Sequence, residues 1–498
     1  ALQGQQGTLQ SGLGALVNTG IFVSAGELED RLREAAVTPA EKKPLTIVIP
    51  TCDRPRLLER LLGSLRSNQE RFGDSWPVEV IDDSRDEANR RRNAELVGEA
   101  ASHFPATCVG RQEQLALIDR LCKEFPEAED YFRWLLWSEH PAHEGQATYG
   151  VPINHAVLRH AGRRVIFIDD DAVIRAYSKA GSDRQPRFAD QFRFLGVCLD
   201  PDEAGRSLDA FPENPLATHE KVLGATVAEL LAGEPSPAQG FLNAPYSSVS
   251  FLDPKRSLVR YTTNGILGES GAADDLHVFQ TLSQELVSDD KAYRRFRASD
   301  RCITSGQTAP ALVNTVLFQR ATAAGVNLDP YLPPVMPTGR GEDATMGALM
   351  RFLYPHDYGM WLRFAVEHRP DPARRGVLDP DILTRDLTGS IALEIWLHRV
   401  PCPRYLDAER KMLVASNAIR RMMERGKTTG FLRDIYNAFM QEVLATQRAR
   451  LADALARNPA GCASWRADVD ALMHRSLSEL QQPSALPETK LAAALGMY

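Results

Sequence analysis

The sequence predicts an α/β fold, with a mostly parallel sheet covered on both faces by helices and a helical domain at the C-terminal end. Three observations predict it. From residue 44 onward, short apolar runs alternate with amphipathic stretches at helical spacing, the pattern of strands joined by crossover helices. The first run, "PLTIVIP" (44–50), is continuously apolar, as a strand buried on both faces should be. After about residue 375 the strand-like runs stop and long helical stretches take over.

Residues 1–43 read as a peripheral segment with one helix in "SAGELEDRLREAA" (24–36), Ser24 standing at its N-cap and Glu27 at capping-box spacing. "TPAEKKP" links it to the first strand. In "TCDRPRLLERLLGSL" (51–65), Asp53 can cap, Pro55 suits the first turn, and Leu57, Leu58, Leu61, Leu62 and Leu65 form one apolar stripe. A second strand (77–82), a charged helix (85–101), a third strand (106–110) and a helix (111–125) come next. "GVPINHAVLRHAG" (150–162) predicts the helix before the strand "RRVIFID" (163–169). The pattern then loosens into a strand at 191–200, a helix near 225–233, a Pro- and Ser-bearing loop and a long amphipathic helix over 275–298. "ALVNTVLFQRATAAGVNLDP" (311–330) reads as strand, helix, turn, and 407–425, 431–457 and 465–480 as amphipathic helices. The expected domains are 1–43, 44–375 with an insert at about 200–310, and 376–498.

Composition narrows the class. The chain has 498 residues, 43% hydrophobic and 25% charged, which suits a soluble globular protein with a real core. A net charge of −7 argues against a nucleic-acid partner. No run of 18 apolar residues predicts a membrane span. The N-terminus lacks the basic start and apolar block of a secretory signal, so a cytoplasmic location is expected. Seven cysteines, at 52, 108, 122, 198, 302, 402 and 462, form no CxxC pair and fit reduced thiols.

Candidate chemistry gathers at strand ends. "RRVIFIDDDAVI" (163–174) runs a strand into three consecutive aspartates. Like charges about 4 Å apart repel by roughly 4 kcal/mol at an effective dielectric near 20, so something must offset them. On an extended chain Asp169 and Asp171 share one face and Asp170 takes the other. Two such carboxylates make a hard-oxygen site for Mn²⁺ or Mg²⁺, at the sheet edge where parallel folds bind ligands. The plain alternative is an acidic turn in which Asp170 or Asp171 caps a following helix. In "EVIDDSRD" (79–86), Asp82 and Asp83 suit a nucleobase or a ribose, or else cap the next helix. Thr51, Asp53 and Arg54 face the same crevice. "PTGRGEDATMGALMRFL" (337–353) presents Glu342 and Asp343 at a helix N-terminus, where a base for a hydroxyl proton and a simple cap both fit. His368 in "FAVEHRPDP" is a candidate ligand for the cation or a phosphate, or a satisfied histidine, and His356 is a weaker candidate. Thr263, Asn264 and Glu269, within 261–277, suit an acceptor's hydroxyls or belong to a plain loop.

Taken in order, these blocks resemble the family 2-like glycosyltransferases of the GT-A fold. "LTIVIPTCDRPRLLERLLGSL" with "VEVIDDSRD" is similar to the family's opening. "GVPINHAVLRHAGRRVIFIDDDAVI", with Asn154 and Ala156, is similar to its next block, and "NTVLFQRATAAGVNLDP" with "GEDATMGALMR" to its late block. The resemblance implies a Rossmann-like GT-A domain acting as a metal-dependent, inverting, hexosyltransferase-type enzyme on a nucleotide-diphospho-sugar, with UDP the default. It implies Thr51, Asp53 and Asp83 on the nucleotide, with Arg54, Asp82 and Asp170 completing the donor side. Asp169 and Asp171 would be the DXD pair holding Mn²⁺ or Mg²⁺, with His368 beside them. Asp343 would be the base, with Glu342 next to it. A carbohydrate, peptide or small-molecule acceptor is expected, and the helical tail would serve as a homo-oligomer interface or an acceptor platform.

The sequence departs from the family at Asp53, which stands where Asn is usual, and in "DDSRD", which lacks the common Gly. It also lacks the QxxRW-type motif of processive members, which points to addition of one or a few sugars. The alternatives are a nucleotidyltransferase of related α/β fold, which usually carries a "GxGTR"-like loop not found here, and an inactive nucleotide-sugar binder. Retention of Asp171 and Asp343 favours an enzyme.

Overall fold

The computed structural model describes residues 25–35, 41–189, 194–198, 208–232, 249, 251–269, 284–298, 302–315, 318, 320, 322–371, 389–400, 402–403, 405–424 and 428–481. The strands are β1 (Leu45–Thr51), β2 (Val78–Asp82), β3 (Ala106–Val109), β4 (Arg164–Ile168), β5 (Ala172–Ser178), β6 (Arg187–Phe188), β7 (Phe194–Cys198), β8 (Asp209–Ala210), β9 (Val259–Gly268), β10 (Cys302–Ser305), β11 (Ala311–Asn314), β12 (Ala323–Asn327) and β13 (Tyr358–His368). The helices are α1 (Ala25–Ala35), α2 (Pro55–Phe72), α3 (Glu87–Ala100), α4 (Arg111–Glu124), α5 (Glu129–Leu136), α6 (Gly150–Arg159), α7 (Pro215–Val222) and α8 (Val227–Ala232). They continue with α9 (Gln284–Ser288), α10 (Asp290–Ala298), α11 (Glu342–Leu353), α12 (Gly389–Leu397), α13 (Ala408–Glu424), α14 (Thr428–Arg457) and α15 (Ala463–Gln481).

These residues form an α/β core followed by the helical region α12–α15, as the alternation of runs predicts. The strands join one sheet whose main path is β3-β2-β1-β4-β12-β9-β13-β11-β6. β1 pairs in parallel with β2 and with β4, and β13 with β9. β12 runs antiparallel to both β4 and β9, so β9 and β13 share the sense of β4. The carboxyl ends of β1, β2, β4, β9 and β13 therefore lie along one edge. The chain runs outward from β1 to β3 and returns as β4 on the other side of β1. The crevice between the ends of β1 and β4 is thus a topological switch point, where parallel sheets bind ligands.

Packing follows the apolar patterns. All five leucines of the α2 stripe are buried, each contributing roughly 1.5–3 kcal/mol, and Leu58, Leu61, Leu62 and Leu65 pack with Ile47, Ile49 and Ile174 among others in a cluster shared by β1, β4 and β5. On the other face, Ile153, Ala156 and Val157 of α6 pack with Val48, Val165 and Phe167. Asn154 is fully buried in α6. Its side-chain oxygen accepts from Val335 N at 2.7 Å, and its amide donates to Leu135 O and Val335 O. Those bonds fix the approach to the Gly-rich loop at 337–341.

Several expectations change. Among its described residues the 311–330 stretch holds two strands, β11 and β12, and no α-helix, with 316, 317, 319 and 321 outside the described residues. β12 is buried throughout and pairs with β4, which is a non-local choice. The helix expected over 275–298 appears as the short α9 and α10, with 270–283 outside the described residues. Residues 261–268 are not a loop but the body of β9, a central strand in which Thr263 and Asn264 are buried. Ser24 and the whole of the Pro- and Ser-bearing loop also lie outside the described residues. Val287 and Tyr293, in the expected insert, pack with Leu444, Trp465 and Val469 of α14 and α15. The insert and the tail thus share a small core.

No helix among the described residues is long and apolar enough to cross a membrane. Cys52, Cys108, Cys122, Cys402 and Cys462 are free thiols.

Candidate active site

β4 ends at Ile168 and the chain turns at once, Ala172 N donating to Asp169 O at 3.0 Å. The turn leads directly into the strand β5, so neither Asp170 nor Asp171 caps a helix. It also replaces the alternation expected of an extended chain. The three carboxylates fan out to three different partners.

Asp170 turns toward β1. Thr51 Oγ1 donates to its Oδ2 at 2.8 Å, and Arg54 Nη1 lies 3.3 Å from its Oδ1. Burial pushes its carboxyl up to about 6 in spite of both partners. Asp171 turns toward β13, where His368 Nε2 lies 2.9 Å from its Oδ1. Burial pushes Asp171 upward, but His368 and Arg54 outweigh it and hold the carboxyl below its usual range. His368 answers in the opposite sense. Burial works against its charged form, yet Asp171 raises it to about 9, and its Nδ1 lies 2.5 Å from Glu269 O at the end of β9. Asp169 turns toward β12, 3.4 Å from Arg320 Nε. Burial raises its carboxyl against the pull of Arg320.

The β2 end forms the neighbouring wall. Asp83 is buried and accepts from Thr148 Oγ1 at 3.0 Å, and burial pushes its carboxyl up to about 6. Asp82 accepts from Ser84 N at 3.0 Å and is also raised by burial. Neither caps α3, because Asp86 does, its side chain accepting from Asn89 N. Asp53 does not cap α2 either. It has φ 54°, and its carboxylate accepts from Arg85 N, Asp86 N and Asn89 Nδ2 at 3.0–3.2 Å. Those donors overcome the upward push of burial and hold it low. Its carboxylate is therefore engaged with the β2–α3 loop.

The far wall is the start of α11, preceded by Gly341 at φ 106°, a left-handed turn that suits glycine. Asp343 Oδ2 accepts from Arg320 N at 3.0 Å. Glu342 is buried, its Oε2 accepting from Gly341 N, and burial raises its carboxyl. The loop is clamped to the start of α6 by Gly150 N donating to Pro337 O and Gly339 N to Ala147 O.

The structure brings Thr51, Arg54, Asp169, Asp170, Asp171 and His368 together, and Arg320 joins them to Glu342 and Asp343. Asp82 and Asp83 lie one strand away. His356 takes no part, its Nδ1 lying 2.9 Å from Phe251 O. Sequence reasoning missed Arg320. The signal for it was that it is the sole Lys or Arg between Arg301 and Arg340.

Among the described residues no group of three or more His, Cys, Asp or Glu side chains is arranged to hold a metal ion. A smaller seat does fit. Asp171 Oδ1 is buried, with the His368 imidazole 2.9 Å away as its partner. A carboxylate oxygen is a donor that Mn²⁺ accepts, and the His368 nitrogen becomes one when the metal displaces the proton that Asp171 holds on it. Mg²⁺ and its like commonly take one or two protein carboxylates and fill the rest with water and phosphate.

No protein-family model matches the chain, and no curated protein matches it in sequence. Similar solved structures include the mannosyltransferase PcManGT from Pyrobaculum calidifontis, in complex with GDP-Man and Mn²⁺. It is 11% identical with a TM-score of 0.32, over 97% of this chain and 95% of that one. S. aureus TarS 1–349 is 13% identical with a TM-score of 0.30, over 88% and 91%. At this distance, the reading of the site rests on its own residues.

Proposed function

We propose that this crevice binds a nucleotide-diphospho-sugar, UDP being the default, and passes its sugar to an acceptor hydroxyl with inversion. The reading is supported above all by one observation. At the switch point beside the parallel strands β1 and β4, burial raises the affinity of the Asp83, Asp169 and Asp170 carboxylates for protons, and Asp171, held low by His368 and Arg54, stands among them. Perturbed acids collected in a crevice are a mark of function more than of stability.

Asp83, with Thr148 and Asp82 beside it, lines the nucleotide end. Thr51 and Arg54 hold Asp170 at the phosphate end. Asp171 and His368 would hold Mn²⁺ or Mg²⁺, which when bound supplies positive charge to the departing diphosphate. Asp343, at the positive end of α11, takes the acceptor's proton as its oxygen attacks. Glu342 keeps Gly341 in place beneath it. The acceptor would be a carbohydrate, a peptide or a small molecule.

A thermal-shift screen of nucleotide sugars in Mn²⁺, repeated in EDTA, tests this. A bound donor at a hundredfold excess over its Kd should stabilise the protein by about 2.7 kcal/mol, and EDTA should remove the shift. A shift with nucleoside triphosphates but no nucleotide sugar would favour a nucleotidyltransferase. No shift with any nucleotide would end the reading.

A further inference from the structure

Arg320 is a cation that donor binding and proton transfer leave without a task. β12 pairs antiparallel with β4, with Ala323 opposite Ile168. The residues just before β12 therefore run back along the aspartate turn, and Asp169 N donates to Thr322 O at 3.3 Å. The Arg320 side chain is only 14% exposed. Its guanidinium lies 3.4 Å from Asp169, 3.7 Å from Glu342 and 3.9 Å from Asp343. Its own backbone N–H holds the other oxygen of Asp343 at 3.0 Å. Both oxygens of the proposed base thus face one residue, which is in turn anchored on the strand-end acid. A guanidinium suits this task because it stays charged and presents a rigid planar fork.

We propose that Arg320 is a positioning residue that fixes the direction of the Asp343 carboxylate, and that Asp169 serves to seat Arg320. This rests on the glycosyl-transfer reading and deepens it. It gives the first aspartate of the run a task other than ligating a cation.

The assay is release of nucleoside diphosphate by the full chain, using the nucleotide sugar that gives the largest Mn²⁺-dependent thermal shift. Affinity for UDP with Mn²⁺ is followed by calorimetry. Arg320→Gln should lower kcat by about 10²-fold, the scale of a misplaced reacting group, with UDP affinity unchanged, and Arg320→Lys should recover part of the loss. The double variant Arg320→Gln with Asp343→Asn should be no slower than Asp343→Asn alone. Losses that multiply, or full turnover in Arg320→Gln, would overturn the proposal while leaving the glycosyl-transfer reading intact. Should Arg320→Gln fail to fold, Asp169→Asn decides. A fall in kcat at unchanged UDP affinity supports the positioning role, and a loss of Mn²⁺-dependent UDP affinity or no effect overturns it. Wild-type protein that consumes no nucleotide sugar would end both readings.

Discussion

Replacing Asp83 by Asn should make the ligand-free protein more stable, and only toward neutral and alkaline pH. The Asp83 carboxyl is buried, and its affinity for a proton rises from 3.8 to about 6. At 1.36 kcal/mol per unit, holding it ionised costs about 3 kcal/mol. The sign follows from proton counting. Between pH of roughly 4 and 6 the folded state binds more protons than the unfolded one, so stability falls as pH rises through that window. The deficit is complete above about 6 and absent below about 4. Asn presents an oxygen to Thr148 Oγ1, as Asp83 does, without the charge. The variant should therefore gain up to about 3 kcal/mol at pH 8 and nothing at pH 4, read from urea denaturation of both proteins across the range. It should also lose nucleotide-dependent thermal shifts. A variant less stable than wild type at pH 8, or a gap that does not change with pH, would refute the reasoning.

Glu79→Gln should show the opposite pH signature. Glu79, on β2, accepts from Arg159 at 2.8 and 2.9 Å and lies 3.1 Å from His160 Nε2. Burial pushes its carboxyl up, but these partners bring it down to about 2. That contributes about 3 kcal/mol, present above the ordinary carboxylate range and lost as pH falls toward 2. The variant should lose that amount at pH 7 and flatten the acid limb of the melting curve; acid limbs that stay parallel in the two proteins would contradict it. At Gly150 an added Cβ would stand 2.0 Å from Met336 O. Gly150→Ala should cost about 1–3 kcal/mol and, by pushing out the loop that leads into Glu342 and Asp343, lower turnover as well. An unchanged melting midpoint would show that the two segments can part freely.

What the sequence made legible was local. The α2 leucine stripe and the apolar run into Asp169 carry their periodicity in a few consecutive residues, so both elements fall where the pattern puts them. The acid clusters were legible for the same reason. What stayed hidden depended on pairing between distant segments. Arg320 reaches Asp169 only because β12 pairs with β4, and nothing within 311–330 encodes that register. Thr263 and Asn264 look like loop residues because both are polar. They are buried in β9, where Asn264 donates to Thr322 Oγ1 at 2.7 Å and Thr262 Oγ1 meets His219 Nδ1. The capping role expected for Asp82 or Asp83 fell to Asp86, since β2 ends at Asp82 as expected but the turn after it runs on and the helix starts at Glu87, not at 85.

Lys411 of α13 is buried, and its Nζ donates to Leu353 O at the last turn of α11. Thr345 Oγ1 of α11 donates to Ser390 O of α12. Ala348 and Leu349 share a cluster with Trp396, Leu397 and Ala415. The helix that presents Asp343 at one end is thus bolted along its flank to the tail. A protein cut near residue 375 would lose that bolt and leave one side of α11 bare to water. The tail is the keel against which the helix carrying Asp343 is set.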